Sequence, residues 1–427
     1  MLKIYDKAEA GELYEKLKNR MDGAFEEALK AAGQIICEVR RNGDEAVRFY
    51  TKKFDGVDLD DLYMTGPELN RIYEKCDKSL VCIMEKAAQN IEEYHRKQMP
   101  NSYVIAKDGI TMGQRATALE RVAMYVPGGS ASYPSTVLMN AVPAKIAGVK
   151  EMTVLTPPKK EGIKPEIVAA AKICGINKIL KAGGAQAVAA AAYGTASVPK
   201  TDKIVGPGNI YVAAAKKLVY GTVDIDMIAG PSEILIIADK SANPKFIAAD
   251  LMSQAEHDIL ASSILLTDSR ELAEQVNAEI ERQIKNLSRG DIIEKSLTGY
   301  GGCILCGDID EAIEIANEIA PEHLELSVEG CFDKLGAVKN AGSVFLGDFS
   351  PEPLGDYYAG ANHVLPTNGT ARFSSPLGVE SFMKKSSFIY YSKEKLREAA
   401  EDIISFANSE KLTAHANSIK ARFEDGR

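Results

Sequence analysis

The run MTVLTPPKKEGIKPEIVAAAKICGINKILKAGGAQAVAAAA, Met152 to Ala192, alternates strand and helix signals in quick succession. Met152–Thr156 is a short apolar run closed by Pro157–Pro158. Pro165 stands where a first-turn proline belongs, ahead of the apolar stretch Ile167–Cys174, and Gly175 stops the helix that these imply. Lys178–Leu180 returns to strand, and Gly183–Gly184 opens a helix that reaches Ala192. Strands alternating with helices of about ten residues predict a parallel sheet covered on both faces.

The alternation continues outward. Lys203–Val205 reads as a strand, Gly206-Pro207-Gly208-Asn209 as a turn and Ile210–Val219 as a helix. Beyond Gly230-Pro231-Ser232 come a strand at Glu233–Ile237, a helix capped at Asn243–Pro244 and running towards His257, and a strand at Ser262–Thr267. Helix Glu271–Leu287, strand Cys303–Leu305, helix Glu311–Ile319 and strands near Leu324–Val328 and Ser343–Leu346 follow. Upstream, residues 1 to about 100 read as helical. Leu80, Ile83, Met84, Ala87, Ile91 and Tyr94 hold i, i+3, i+4 spacing, and the turn Asn42-Gly43-Asp44 separates two earlier helical stretches. The tail returns to helix, including Lys393–Phe406. The expected fold is α/β: two doubly wound, Rossmann-like modules between a helical N-terminal region and a helical C-terminal tail. Boundaries fall at 1–121, 122–232, 233–380 and 381–427, with part of the N-terminal region packing on the second module.

Composition narrows the function classes. The chain has 427 residues, and 51 basic against 60 acidic side chains give a net charge of -9. With no basic excess to neutralise phosphates, a general nucleic-acid binder is excluded. The charged start, MLKIYDKAEAGELYEKLKNR, has no apolar core to serve as a signal peptide. The uncharged stretches Val122–Ala144 and Ala182–Pro199 are too rich in Pro, Gly and Ala for a spanning helix. Seven scattered cysteines suit a reducing cytoplasm rather than a disulfide framework. The one C-x-x-C, Cys303 to Cys306, has an apolar interior and reads as a buried strand.

Histidine is scarce, at positions 95, 257, 323, 363 and 415. His95 sits in Glu92-Glu93-Tyr94-His95-Arg96-Lys97, a charged helix end, and is expected to be exposed. Gln254 and His257 are three apart near a helix end, so both can face one cavity as ligands; equally, His257 can simply bond the last carbonyls. Glu322–His323 puts a carboxylate beside an imidazole, two distinct proton acceptors at one place, or only a polar turn. Gly355 to Pro366 reads as a long loop holding Asp356 and His363 among glycines. Glu410 and His415 place another acid and histidine on the tail. The glycine turns at Gly128–Gly129, Gly183–Gly184 and Gly206–Gly208 lack the G-x-G-x-x-G fingerprint, yet could let a backbone approach a pyrophosphate.

Taken together, the motifs resemble one family. Tyr125-Val126-Pro127-Gly128-Gly129-Ser130, Pro134-Ser135-Thr136-Val137-Leu138-Met139, Gly183-Gly184-Ala185-Gln186-Ala187 and Gly206-Pro207-Gly208-Asn209 resemble segments of histidinol dehydrogenases. So do Ala229-Gly230-Pro231-Ser232-Glu233, Ser253-Gln254-Ala255-Glu256-His257, Pro321-Glu322-His323-Leu324 and Ala341-Gly342-Ser343-Val344-Phe345-Leu346-Gly347. Gly355-Asp356-Tyr357, Asn362-His363-Val364-Leu365-Pro366 and Leu412-Thr413-Ala414-His415 complete the series in the family's order.

The resemblance implies oxidation of L-histidinol to L-histidine through an aldehyde, the closing reaction of histidine biosynthesis, with two successive NAD+ reductions at one zinc site. It implies NAD contacts at Tyr125, Gln186 and Asn209, and zinc ligands Gln254, His257, Asp356 and His415, which also lie close to substrate. It implies substrate contacts at Ser232, His363 and Glu410 and proton acceptors at Glu322 and His323, His323 also touching substrate. It further implies an intertwined homodimer in which the tail completes the partner's site, one zinc ion per subunit. Two rival classes are a zinc hydrolase on an α/β scaffold, against which the absent H-E-x-x-H counts, and a metal- or nucleotide-binding module without catalysis.

Overall fold

The computed structural model describes residues 1–20, 22–128 and 133–424. The Gly129–Ser130 step of the first glycine-turn motif lies outside the described residues. Fourteen strands form three sheets among the described residues. They are β1 (Ile4–Asp6), β2 (Tyr103–Lys107), β3 (Ile110–Ala118), β4 (Arg121–Tyr125), β5 (Glu151–Leu155), β6 (Lys178–Leu180) and β7 (Lys203–Val205). After them come β8 (Asp224–Ile225), β9 (Glu233–Ala238), β10 (Ser262–Thr267), β11 (Gly302–Leu305), β12 (His323–Ser327), β13 (Ser343–Leu346) and β14 (Met383–Tyr391).

The chain divides into two compact units. The first comprises Met1–Gln98 with Leu119–Phe382, and the second Met99–Ala118 with Met383 onward. In the first unit both large sheets are wholly parallel. One has the order β6-β5-β4-β7-β8 and the other β1-β11-β10-β9-β12-β13. In each, successive strands step one way from a founding strand, β4 or β9, and then resume on its other side. Each sheet is therefore doubly wound, with a switch point beside the founding strand. β9 and β10 are buried at every position, as strands covered on both faces must be.

The expected punctuation forms caps. Pro165 opens the helix Pro165–Ile173, Asn243 accepts the Lys245 N–H at the start of Pro244–Ala255, and Asp77 accepts the Ser79 N–H ahead of Lys78–His95. Cys303 and Cys306 lie buried on and just after β11, and burial pushes their thiols up to about 12 and about 11. Among the described residues no helix is long and apolar enough to cross a membrane.

Several expectations need correction. The first 121 residues are not helical throughout: Ile4–Asp6 pairs in parallel with β11, and 103–118 forms the hairpin of β2 and β3. The tail is not helical throughout either, because β14 pairs antiparallel with β3 along its whole length. A helix at Gly290–Tyr300 follows Arg270–Gln283. The N-terminal helices Asp22–Asn42 and Asp44–Asp55 share a core with Ala185–Ala192 of the first module, whereas Tyr5, Ala10 and Leu13 pack on the second.

His95 also departs from expectation: it is fully buried. It extends the inward stripe Met84, Ala87, Ile91 by one more turn, and that spacing outweighs its charged neighbours. Its Nδ1 lies 2.7 Å from Gln98 Oε1, which also accepts the Val379 N–H at 3.1 Å, and its Nε2 lies 3.5 Å from Asn362 Nδ2. His95→Ala should therefore destabilise the fold by about 1–3 kcal/mol through the buried partners it strands. Urea unfolding measures this, and an unchanged midpoint would return His95 to the surface.

The second unit is the sheet β14-β3-β2 with helices Lys393–Ser409 and Thr413–Lys420. Its core is thin. The longer helix has no buried residue, and Ile389, Tyr390 and Phe406 are exposed.

Candidate active site

In a parallel sheet each crossover helix runs back antiparallel to its strands. The helix Pro244–Ala255, which follows β9, therefore ends at the amino edge of the second sheet. Gln254 lies buried in its last turn, and the His257 N–H donates to the Gln254 carbonyl at 3.2 Å just beyond. Ser232 and Glu322 immediately precede β9 and β12, which are paired neighbours, and His323 opens β12 opposite Ile234. The topology thus brings Ser232, Gln254, His257, Glu322 and His323 to one edge.

Glu233 organises this edge. Its N–H donates to Glu322 Oε2 at 2.9 Å, and the Glu322 N–H donates back to Glu233 Oε2 at 3.3 Å. Its carbonyl lies 2.9 Å from His323 Nδ1. A carbonyl only accepts, so Nδ1 carries the proton and the lone pair is on Nε2. That Nε2 is buried without a hydrogen-bond partner, 3.8 Å from Glu352 Oε1 and 4.0 Å from Asp356 Oδ1.

Asp356 is on a short helix, Glu352–Tyr357, rather than in the loop expected from its glycines. Four-residue spacing puts Glu352 and Asp356 on one helix face. The loop proper follows, and two buried bonds pin it: Asn362 Nδ2 donates to the Met139 carbonyl at 2.6 Å, and Asn362 Oδ1 accepts the Val364 N–H at 2.9 Å. His363 Nδ1 then lies 3.1 Å from the Asp356 carbonyl, and its Nε2 lies 3.5 Å from Thr136 Oγ1 of the first module.

Burial sets the protonation states. Burial foremost, then the Glu233 carboxylate, raises the Glu322 pKa well above the usual glutamate value, against the Glu233 N–H and Arg20. Burial lowers the His323 pKa, opposed by Asp356 and the Glu233 carbonyl and aided by His257 and His363. Glu352 is pushed up to about 10 by burial and by the Asp356 charge. A neutral imidazole with an aimed lone pair therefore sits beside a carboxyl poised above its ordinary range. Two acceptors of different strength can serve two different proton transfers.

His323, Glu352 and Asp356 bring ligand atoms within 4.8 Å of one another. The buried Gln254 Oε1 has no hydrogen-bond partner either, and the His257 ring is close enough to influence His323. Gln254, His257 and Asp356 thus offer nitrogen and oxygen donors beside His323, a set that fits a zinc ion while the His323 lone pair stays available as a base.

Tyr125, Gln186 and Asn209 stand at the carboxyl edge of the first sheet: the last residue of β4, the first turn of helix Gly184–Tyr193 and the cap of helix Ile210–Val219. The Gly184 N–H donates to the Tyr125 hydroxyl at 3.0 Å, and burial holds that hydroxyl up at about 12. Gln186 is buried with Oε1 unpartnered. Asn209 Oδ1 accepts the Tyr211 and Val212 N–H groups. Gly206 has φ +103°, and a Cβ there would lie 2.2 Å from the Tyr125 carbonyl oxygen, so only glycine fits beside the switch point. A helix N-terminus at such a place suits a pyrophosphate.

His415 and Glu410 belong to the second unit and are exposed, His415 on Thr413–Lys420 and Glu410 just after Lys393–Ser409. Glu233, Arg20 and Glu352 were missed from sequence. Glu352 had a signal, its four-residue spacing from Asp356; Glu233 had one in its place directly after Ser232. Arg20 had none.

A family model described as histidinol dehydrogenase matches residues 18–423. The histidinol dehydrogenase of Clostridium acetobutylicum is 56% identical over 424 residues, covering 99% of this chain and 98% of that protein. That of Lactococcus lactis is 54% identical over 430 residues, covering all of both. The crystal structure of histidinol dehydrogenase from Elizabethkingia anophelis superposes with a TM-score of 0.91 at 37% identity, over 99% of this chain and 98% of that one. With the motifs in order, both sheets doubly wound and the acceptors at one edge, the chain belongs to the histidinol dehydrogenase family of oxidoreductases.

Proposed function

We propose that the protein oxidises L-histidinol to L-histidine through histidinaldehyde, using NAD and a zinc ion. The observation that carries this reading is the His323 tautomer, fixed by the Glu233 carbonyl so that a buried, unpartnered Nε2 points at the acidic cluster. In the first oxidation Nε2 takes the hydroxyl proton as hydride leaves the carbinol carbon. The aldehyde then adds water, Glu322 accepts the proton of that water, and a second hydride departs. NAD supplies the hydride acceptor when bound, with Tyr125, Gln186 and Asn209 contacting it. Gln254, His257 and Asp356, with His415 of the partner subunit, would hold zinc, which supplies a Lewis acid that orients the substrate's imidazole and amine. Ser232 and His363, with Glu410 of the partner subunit, would contact substrate.

The thin core and exposed apolar side chains of the second unit support an intertwined homodimer with shared sites. Seven free thiols, two of them deep in β11 and its end, accord with work in the cytoplasm. The test is stoichiometric: zinc-loaded enzyme with L-histidinol and excess NAD+ should form two NADH for each L-histidine released. A zinc hydrolase or a binding module forms none.

A further inference from the structure

Arg20 follows the helix Gly11–Asn19, far in sequence from the catalytic pair, yet its side chain is 2% exposed. Its guanidinium pairs with the Glu233 carboxylate and donates to Asn368 Oδ1 at 2.8 Å and to the Pro231 and Leu260 carbonyls at 3.3 and 3.4 Å. The Asn368 N–H donates to the same Glu233 oxygen at 3.1 Å. The other polar groups of Glu233 meet the two proton acceptors: its amide donates to Glu322 Oε2, its carbonyl faces His323 Nδ1, and its second carboxylate oxygen accepts the Glu322 N–H. Two adjoining buried carboxylates, Glu233 and Glu322, would repel unless a cation faced them.

We propose that Arg20 and Glu233 are positioning residues for the two proton acceptors: Arg20 fixes the Glu233 carboxylate, and Glu233 fixes Glu322 and His323. The inference rests on the roles given above to Glu322 and His323. A misplacement of an ångström at a catalytic group slows reaction by about 10²-fold. Arg20 touches no reacting atom. Of Glu233 it holds only the carboxylate, whose other oxygen accepts the Glu322 N–H, whereas His323 is held by the Glu233 backbone carbonyl. Its effect should therefore pass through Glu322 rather than add to it.

The experiment uses the full-length, zinc-loaded enzyme and single-turnover NADH formation from histidinaldehyde, comparing Arg20→Ala, Glu322→Gln and the double variant. Arg20→Ala should slow the aldehyde step about 10²-fold, with zinc content and KM for histidinol held within about twofold of wild type. The double variant should be no more than about threefold slower than Glu322→Gln alone, since residues acting as one unit are non-additive. Millimolar methylguanidinium should restore part of the Arg20→Ala rate. It can enter through a cavity of about 590 Å³ bordered by Glu233, Asn368, Tyr14 and Lys18. It should not rescue Glu322→Gln.

A folded Arg20→Ala at the wild-type rate, or a double variant slowed by the product of the single effects, overturns the inference. If Arg20→Ala does not fold, Glu233→Gln, which keeps shape and backbone bonds, takes its place in the same double-variant comparison, and the same two results overturn the inference. Glu322→Gln at the wild-type aldehyde rate would instead remove the role of Glu322 itself, a separate and recognisable failure.

Discussion

Glu322→Gln is expected to slow histidinaldehyde oxidation by about 10²–10⁴-fold, the usual worth of a positioned general base, while leaving histidinol oxidation far less affected. Only the aldehyde step needs an activated water. His323→Gln should slow the alcohol step by the same order, and the aldehyde step too, because each oxidation ends with a proton leaving oxygen. Glutamine keeps the shape of Glu322 and the bond from the Glu233 N–H, so a lost rate reports lost basicity.

The pH profiles carry a second signature of the same pair. Glu322 works ionised, and its pKa is raised by burial and by Glu233. The aldehyde step should therefore fade, as pH drops, at a higher pH than an ordinary glutamate would set. His323 works neutral, and its pKa is lowered by burial. The alcohol step should persist to a lower pH than an ordinary histidine allows. Single-turnover NADH formation, started from each substrate in turn, measures both, and equal loss from both starting points in Glu322→Gln would mean that the pair acts as one base.

Removal of the metal is the other large effect. Chelation should abolish turnover, zinc should restore it, and His257→Ala and His415→Ala should each lose bound zinc. If His415 comes from the partner subunit, His257→Ala and His415→Ala chains are complementary. In a hybrid dimer one site collects both defects and the other has neither, so mixed chains should regain zinc and activity at one site per hybrid dimer. Zinc content is read by metal analysis and activity by NADH. Full activity without metal, or no recovery once subunit exchange is verified, sinks the shared zinc site.

Much of the architecture was legible because parallel strands and their helices carry local marks. Pro165, Asn243 and Gly206 each do at one position what a backbone there requires. The hairpin of β2 and β3 was missed despite a local mark of its own, Asp108-Gly109, with Gly109 at φ +67° in the turn. It lies just past the helical periodicity, which ends near residue 100, and within the region bounded at 121 as helical. β1 is three residues long and has no period to read. His95 shows the opposite error: local charge was weighed above the four-residue step from Ile91.

The site was legible in its members but not in its wiring. Ser232, Gln254, His257, Glu322 and His323 are element ends, and element ends are where polar residues attract notice. That they meet at the amino edge of the second sheet, whereas Tyr125, Gln186 and Asn209 stand at the carboxyl edge of the first, follows from strand order, which no residue states. Arg20 was invisible because its importance lies wholly in partners more than 200 residues away.

The pairing of β1 with β11 sets an order on biosynthesis. Ile4 aligns with Cys303, Tyr5 with Ile304 and Asp6 with Leu305, so the first strand's partner is made roughly 300 residues later. At about 5–20 residues per second, the N-terminal segment leaves the ribosome on the order of 15–60 s before that partner exists. Helices 22–55 need not wait as long, since the first module that buries them is complete by β8. Nascent chains should accordingly become protease-resistant from the middle outward, with the first twenty residues clipped until the second sheet closes over them. The bond from Arg20 to Glu233, formed in that same late docking, would make catalytic competence one of the last properties the growing chain acquires.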